Sequence, residues 1–413
     1  MISRFKIIND PVHGFINIPS GTVQEIIEHP YFQRLRDIKQ LGFTNLVYPG
    51  ATHSRLSHAL GAMHLMQEAI VVLRIKGIEI DQVEEEAALS AILMHDIGHG
   101  PYSHALENNI ISGVSHEEIS LALMREINEE LNGRLDLAIS IFEGNYKKRF
   151  LHQLISGQLD VDRLDYLKRD SFFSGVAEGM IGLERIIKMM SVDHNNLVIE
   201  EKGIYSVEKF LISRRLMYWQ VYLHKTVIAA EQLLMSIFRR ARIMTKSGEG
   251  LPGSPAICYF LSREFTPESF STREVLEMFT RLDDTDVMSA IKQWQYHNDI
   301  VLSLLCKMLT ERRLPKLILS NEPVDETHFN DASNIFRDEY RQIFGSEISD
   351  EGICYFVNKG EVLNKGYDSA EGEIKIINKD GTTNDVYKIS DMLSAKAFSQ
   401  ITKKHFLCRA KLK

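Results

Sequence analysis

Ala91-Ile-Leu-Met-His-Asp-Ile-Gly-His-Gly-Pro-Tyr-Ser-His104 decides how this chain reads. The apolar run Ala87–Met94 predicts a helix that ends in His95-Asp96. His99 follows four residues after His95, so on a continuing helix both imidazoles would share a face. Gly98, Gly100 and Pro101 then break the helix and let the backbone run close to whatever His95, Asp96 and His99 face. A lone His beside an Asp is ordinarily a hydrogen-bonded surface pair. Three His and one Asp within ten residues, interrupted by glycines after an apolar helix, point to a metal centre instead. Imidazole nitrogen with a carboxylate that offsets dication charge is a first-row ligand set.

Working outward, Thr52-His-Ser-Arg-Leu-Ser-His-Ala-Leu-Gly61 opens a helix that runs from Arg55 to about Lys76. Arg55 and His58 lie three apart on one face, a pairing that suits a phosphate clamp beside a metal ligand better than a core. In Leu154–Asp170, Asp162, Tyr166 and Asp170 fall at i, i+4 and i+8 with Arg163 and Asp165 beside them, while Val161, Leu164 and Leu167 form the buried stripe. Ser115 stands three before Glu118, the capping-box spacing, and places His116 at a helix start. The ligand candidates are therefore His58, His95, Asp96 and Asp162, on three helices. Such a mixed N/O site suits Fe, Mn, Zn, Ni or Mg. An ion there acidifies water and offsets charge developing on a phosphoryl oxygen. His99, His104 and His116 are then available as acids or phosphate contacts, with Arg55 and Arg163 as phosphate donors. Together these groups indicate phosphate-ester hydrolysis.

The remaining chain is expected to be mainly helical. Residues 1–20 read as extended, with Asn9-Asp-Pro-Val-His-Gly14 a turn, and Val23–Lys39 as a helix broken near Pro30. One long helix is expected from Val207 to about Ser247; Tyr222, His224 and Lys225 within it are polar enough to reach a ligand. Helices follow over Val275–Thr280 and Val287–Arg313. Near residue 346 the character changes: Gly352–Val357 and Glu373–Ile377 read as strands, Asn378–Thr382 as a hairpin turn, and Val386–Ile389 as the returning strand. The expected architecture is a helical core over residues 1–345 and a small α+β lobe over 346–413. Lys403, Lys404, Arg409, Lys411 and Lys413 are expected to form a solvated basic end.

Composition narrows the classes. The 413 residues are 44% apolar and 25% charged, values of a soluble globular protein. No run of eighteen apolar residues appears, and Met1-Ile-Ser-Arg-Phe-Lys lacks the apolar core of a signal peptide, so neither a membrane nor export is expected. Four widely spaced cysteines without a CxxC pair suit reduced thiols in a cytoplasm. A net charge of −8 argues against a general nucleic-acid binder. No GxxxxGK or GxGxxG loop is present.

The order H…HD…D resembles the HD-domain metal-dependent phosphohydrolases. Asn9–Gly14, Phe32-Gln-Arg-Leu-Arg36, Ile38-Lys-Gln-Leu-Gly42, Tyr48–His58, His95–His104 and Asp160-Val-Asp-Arg-Leu-Asp-Tyr166 narrow the resemblance. Over about residues 5–230 they are similar to the deoxynucleoside triphosphate triphosphohydrolases. The resemblance implies an HD-domain helical core that cleaves a dNTP to deoxynucleoside and inorganic triphosphate by metal-activated water attack on the α-phosphorus. It implies His58, His95, Asp96 and Asp162 as metal ligands and Arg55 and Arg163 on phosphates. His99, His104 and His116 would stand around the α-phosphate, with His104 as acid for the 5′-oxygen and Glu107 supporting it where the family carries Asp. Gln40 and Leu41 would line the sugar, and Tyr166 and Asp170 would close on it, with Tyr222 and His224 nearby. Gln220 stands where the family has Arg. Members are often homo-oligomers, dimers or tetramers, activated by nucleotides; Lys6, Asn9, Gln33 and Arg36 resemble parts of that activator site, with Glu28 in place of an Asp. The alternatives are an HD phosphohydrolase for another nucleotide phosphate, such as a nucleoside monophosphate, and a non-catalytic nucleotide sensor.

Overall fold

The helix Arg55–Ile75 is apolar nearly all round, and Ala59, Leu60, Ala62, Met63, Leu65, Met66, Ala69, Ile70 and Leu73 are all buried along it. A helix without a polar face belongs in a core. It has the length and hydropathy of a membrane span by composition. Here its partners are protein: Gln82–Met94 and Val161–Ser174 pack against it. We describe a computed structural model covering residues 6–102, 106, 113–364, 372–390 and 402–412. These three helices form the centre of a mainly α core.

Side-chain caps set the helix starts. Asp81 and Glu84 form a capping box at Gln82, Ser115 and Glu118 form the expected one at His116–Glu130, and Asp160 accepts from the Arg163 N–H at the start of Val161–Ser174. The helix Gln82–Met94 stops one residue before His95, and residues 95–98 turn. His99 is thus carried by a turn and not by the expected continuing helix. Gly98 allows this: a Cβ there would meet the His116 carbonyl at 2.2 Å and the Ser120 nitrogen at 2.3 Å.

The N-terminal hairpin pairs Lys6–Asp10 with Gly14–Ile18 and buries Ile16 and Ile18 beneath it. Val23–Lys39 divides as Pro30 predicts, into Thr22–Glu28, Pro30–Gln33 and a 3-10 turn Arg34–Asp37. The expected long helix from Val207 is instead two: Ile204–Met217 passes through a π turn, Tyr218–Tyr222, and a new helix Lys225–Lys246 starts where His224 Nδ1 accepts the Thr226 N–H. Val287–Arg313 also divides, into Asp284–Trp294 and Ile300–Thr310, because Asp299 caps a fresh start.

The C-terminal part is α+β, and its strands complete sheets begun earlier in the chain. Lys375–Ile377 pairs in parallel with Asn196–Glu200 and antiparallel with Thr383–Asp385. Thr402–Arg409 is the middle strand between Lys316–Ser320 and Val357–Asn364. As far as Arg409 the basic end is therefore no solvated tail: Phe406 and Cys408 alternate inward against Ile228 and Ala229, a period-two pattern that the lysines mask, while Lys413 lies outside the described residues. Two local readings fail for a common reason. Gly352–Val357 begins as a helical turn, Asp350–Ile353, capped by Ser349, and Val386–Ile389 is a turn capped by Asp385; each side-chain cap outcompetes strand pairing.

Gly61 sets the approach of the two site-bearing helices. A Cβ there would meet Asp165 Oδ1 at 2.1 Å and Arg169 Nη2 at 2.2 Å. We expect Gly61→Ala to cost about 3 kcal/mol of stability by splitting that buried pair. Denaturant unfolding of the two proteins measures it.

Candidate metal centre

His58 comes from the first turn of Arg55–Ile75, His95 from the end of Gln82–Met94, and Asp162 from the first turn of Val161–Ser174. Ligand atoms of these three lie within 4.8 Å of one another. Asp162 Oδ1 is 3.1 Å from His58 Nε2 and 3.4 Å from His95 Nε2. Asp96 stands beside them: Oδ1 lies 3.3 Å from both His95 Nε2 and His99 Nε2, and Oδ2 is 3.8 Å from His58 Nε2. Arg55 Nη1 donates to that same Oδ2 at 2.6 Å. Asp96 is thus at the centre but already spoken for on one oxygen.

Both imidazoles are oriented from behind. His58 Nδ1 donates to Asp165 Oδ2 at 2.8 Å, and His95 Nδ1 to the Ile92 carbonyl at 2.6 Å. Each ring therefore turns Nε2 toward Asp162, and both Nε2 atoms are buried without a well-formed hydrogen bond. Two orphaned imidazole nitrogens converging on carboxylates fit a divalent cation. Burial opposes protonation of His58, but its closeness to Asp162, its bond to Asp165 and the charges of both carboxylates raise its pKa to about 10. The Asp162 carboxyl is held below its ordinary value, burial being outweighed by His58 and His95.

Around this cluster the structure gathers most of the expected residues. His99 and His116 stack at 4.0 Å with rings 15° apart. Burial and the Arg55 charge push His99 down to about 3, so its imidazole is neutral near pH 7. Ser120 ties the His116 helix to the His95 turn, accepting from the Gly98 N–H and donating to the His95 carbonyl, both at 2.9 Å. Arg163 pairs with Asp160 at the same helix start as Asp162. The backbone bridge Lys39↔Ser54 brings Gln40 and Leu41 alongside, with the Gln40 N–H on the His53 carbonyl at 3.0 Å and Gln40 Oε1 buried without a partner. Tyr166 lies between His58 and Tyr222, at ring distances of 6.5 and 6.2 Å. Asp170 takes Tyr222 Oη on one oxygen and His53 Nε2 on the other, each at 2.8 Å. His224 caps a helix and meets Tyr48 edge-on. His104 and Glu107 lie outside the described residues.

The four activator candidates sit on the hairpin and the segment after it. Lys6 pairs with Glu28, Arg36 donates to Gln33 Oε1 at 2.7 Å, and Asn9 is exposed opposite Phe15.

Four buried polar residues around the centre escaped the sequence reading. His53 is buried, stacked 4.5 Å from Phe173 and bonded to Asp170. Arg214 is buried near Tyr166, whose phenol is raised by burial while the Arg214 charge opposes the shift; the guanidinium donates to Gln158 at 3.2 Å. An Arg inside the stripe of Leu211 and Met217 is the signal that could have revealed it. Arg34 is the third: its guanidinium donates to the carbonyls of Leu282, Ile97 and His99 and stacks 4.5 Å over Phe279. Asp284 is the fourth, accepting the N–H groups of Lys39 and Tyr102. Arg34 braces the turn that carries His99, and Asp284, far along the chain, holds the backbone at Lys39 and Tyr102.

A cation must displace the proton that His58 otherwise keeps to about pH 10, so metal affinity rises with pH across the neutral range. We expect a gain of about tenfold per pH unit for each proton released. Chelator competition with Mn2+ between pH 6 and 8 measures the slope, and a flat profile contradicts it.

The chain is similar to known proteins. The HD domain family profile matches residues 55–170, and that of the HD associated region residues 181–247. A crystal structure of a phosphohydrolase from Bacteroides thetaiotaomicron superposes with a TM-score of 0.93 at 50% identity, covering 99% of this chain and 100% of that one. The YwfO protein of Bacillus subtilis is 32% identical over 344 residues, 82% of this chain and 77% of the relative. The deoxynucleoside triphosphate triphosphohydrolase SAMHD1 homolog of Dictyostelium discoideum is 30% identical over 265 residues, 60% of this chain and 51% of that protein. This chain therefore spans about half the length of that relative. With its two imidazoles and a carboxylate gathered at one place, the chain belongs to the HD-domain family of phosphohydrolases.

Proposed function

We propose that this protein hydrolyses dNTPs to deoxynucleoside and inorganic triphosphate. The observation that carries the reading is the pair of orphaned imidazole nitrogens on His58 and His95 facing Asp162, with Arg55, Arg163 and the stacked His99–His116 pair at the same place. Relatives named as deoxynucleoside triphosphate triphosphohydrolases, at 26–30% identity, support the substrate class.

His58, His95, Asp162 and Asp96 would hold a divalent cation, which would supply Lewis acidity toward a phosphoryl oxygen and acidify water. The chain's own groups do the rest. Arg55 and Arg163 bind phosphate oxygens, and each is held in place by a carboxylate, Asp96 and Asp160. Neutral His99, stacked on His116, offers a ring nitrogen to the α-phosphate. Gln40 Oε1, Leu41 and the Tyr166–Tyr222 pair bound the sugar, with Asp170 fixing Tyr222. Water oxygen bonds to the α-phosphorus, the P–O5′ bond breaks, and the 5′-oxygen takes a proton, the role we assign to His104 supported by Glu107. An activating nucleotide at Lys6, Asn9, Gln33 and Arg36, in a cytoplasmic homo-oligomer, belongs to the same proposal.

The test is turnover of the four dNTPs, singly and mixed, with Mn, Mg, Fe or Ni and products resolved by ion exchange. We expect deoxynucleoside and inorganic triphosphate in equal amounts, and neither from His95→Ala. Orthophosphate as the product would move the reading to a monophosphate esterase. Tight dNTP binding without turnover would make the protein a sensor.

A further inference from the structure

We propose that the N-terminal hairpin is part of the metal centre, Asp10 and His13 acting as positioning residues for the ligand His58 through Asp165 and Arg169. The inference rests on the metal centre and makes no use of the substrate.

His58 presents Nε2 to a cation only while Nδ1 keeps its proton on Asp165 Oδ2, 2.8 Å away. Asp165 is fully buried, so its charge persists only with donors on both oxygens. His13 Nε2 supplies one on Oδ1 at 2.6 Å. Arg169 supplies two more, Nη2 on Oδ1 at 3.0 Å and Nε on Oδ2 at 2.9 Å. Arg169 is itself fully buried and meets a second carboxylate, Asp10, at 2.7 and 3.3 Å. Asp10 also accepts the N–H groups of Val12 and His13 at 2.9 Å, which folds the turn that presents the His13 ring. Every group on this path is in contact with the next, from the hairpin turn to the ligand nitrogen.

The hairpin does not need His13 in order to dock, because Ile16 and Ile18 are buried in the core on their own account. A 2.6 Å bond from a turn 152 residues away thus serves the carboxylate, and through it the tautomer and orientation of His58.

The probe is Mn2+ alone, titrated against a fluorescent chelator in the full chain, with thermal melting in EDTA as the measure of fold. We expect His13→Ala to weaken Mn2+ binding by roughly 10–100-fold, the usual effect of losing an outer partner of a ligand. His13→Gln, which returns an N–H to the same reach, should recover most of it. Asp10→Asn, nearly isosteric, should weaken binding in the same direction. Wild-type affinity in a folded His13→Ala overturns the proposal. If that variant does not fold, wild-type affinity in Asp10→Asn overturns it equally. A chain that binds Mn2+ in this pattern but hydrolyses no dNTP leaves the inference standing and removes only the substrate assignment. No Mn2+ binding by the unmodified chain removes the metal centre and this inference together.

Discussion

A fully buried carboxylate, Asp165, is the constraint on which the rest of the site depends. Burial alone would push its pKa up; the Arg169 charge and the bonds from His13, His58 and Arg169 hold it well below the usual carboxylate range. Supplying those donors takes three separate stretches of chain and a glycine at position 61, where any side chain would occupy the space of the Asp165–Arg169 pair. The cost of an uncompensated charge in that position is several kcal/mol. The helices, the hairpin and the ligand His58 are therefore joined through one shared carboxylate.

The reacting side of the centre is organised by the opposite principle. There the polar groups are left with unmet capacity, as on His58 Nε2, His95 Nε2 and Gln40 Oε1, while the backbone beneath them is braced. Arg34 holds the carbonyls of Ile97 and His99, Ser120 ties the His95 turn to the His116 helix, and Asp284 joins the Gln40 segment to the Tyr102 turn. Burial lowers the Arg34 pKa to about 9, with nearby Asp283 and Asp284 opposing the shift. Groups poised toward a ligand on a rigid frame are what differential binding of a charged transition state requires.

Much of this was legible in the residues. Spacing of apolar positions located the three site helices, and Ser115 with Glu118 located the start of the fourth. The ligand types at His58, His95 and Asp162 announced themselves because imidazoles and carboxylates beside apolar stripes have few other uses. What failed were boundaries set by a single side chain. His224 and Asp299 restart helices that hydropathy reads as continuous, and Ser349 and Asp385 draw helical turns out of strand-like segments. Hydropathy averages over several residues, whereas one cap hydrogen bond decides a terminus.

By itself the sequence determined the helical class and picked out His58, His95 and Asp162, which the fold brings together, since these depend on residue type and on spacing along a helix. Only the tertiary structure decided which groups stand behind the ligands. Asp10 and His13 read as an ordinary turn, Arg34 drew no reading of its own, and the basic C-terminal segment read as a free end; folded, the first two meet Asp165 and Arg169, Arg34 holds the His99 turn, and Thr402–Arg409 lies in the middle of a sheet. The reason is that a buried charge needs partners wherever the fold can supply them. Those partners, 65 to 159 residues distant along the chain, are chosen by packing and leave no periodic trace in the sequence.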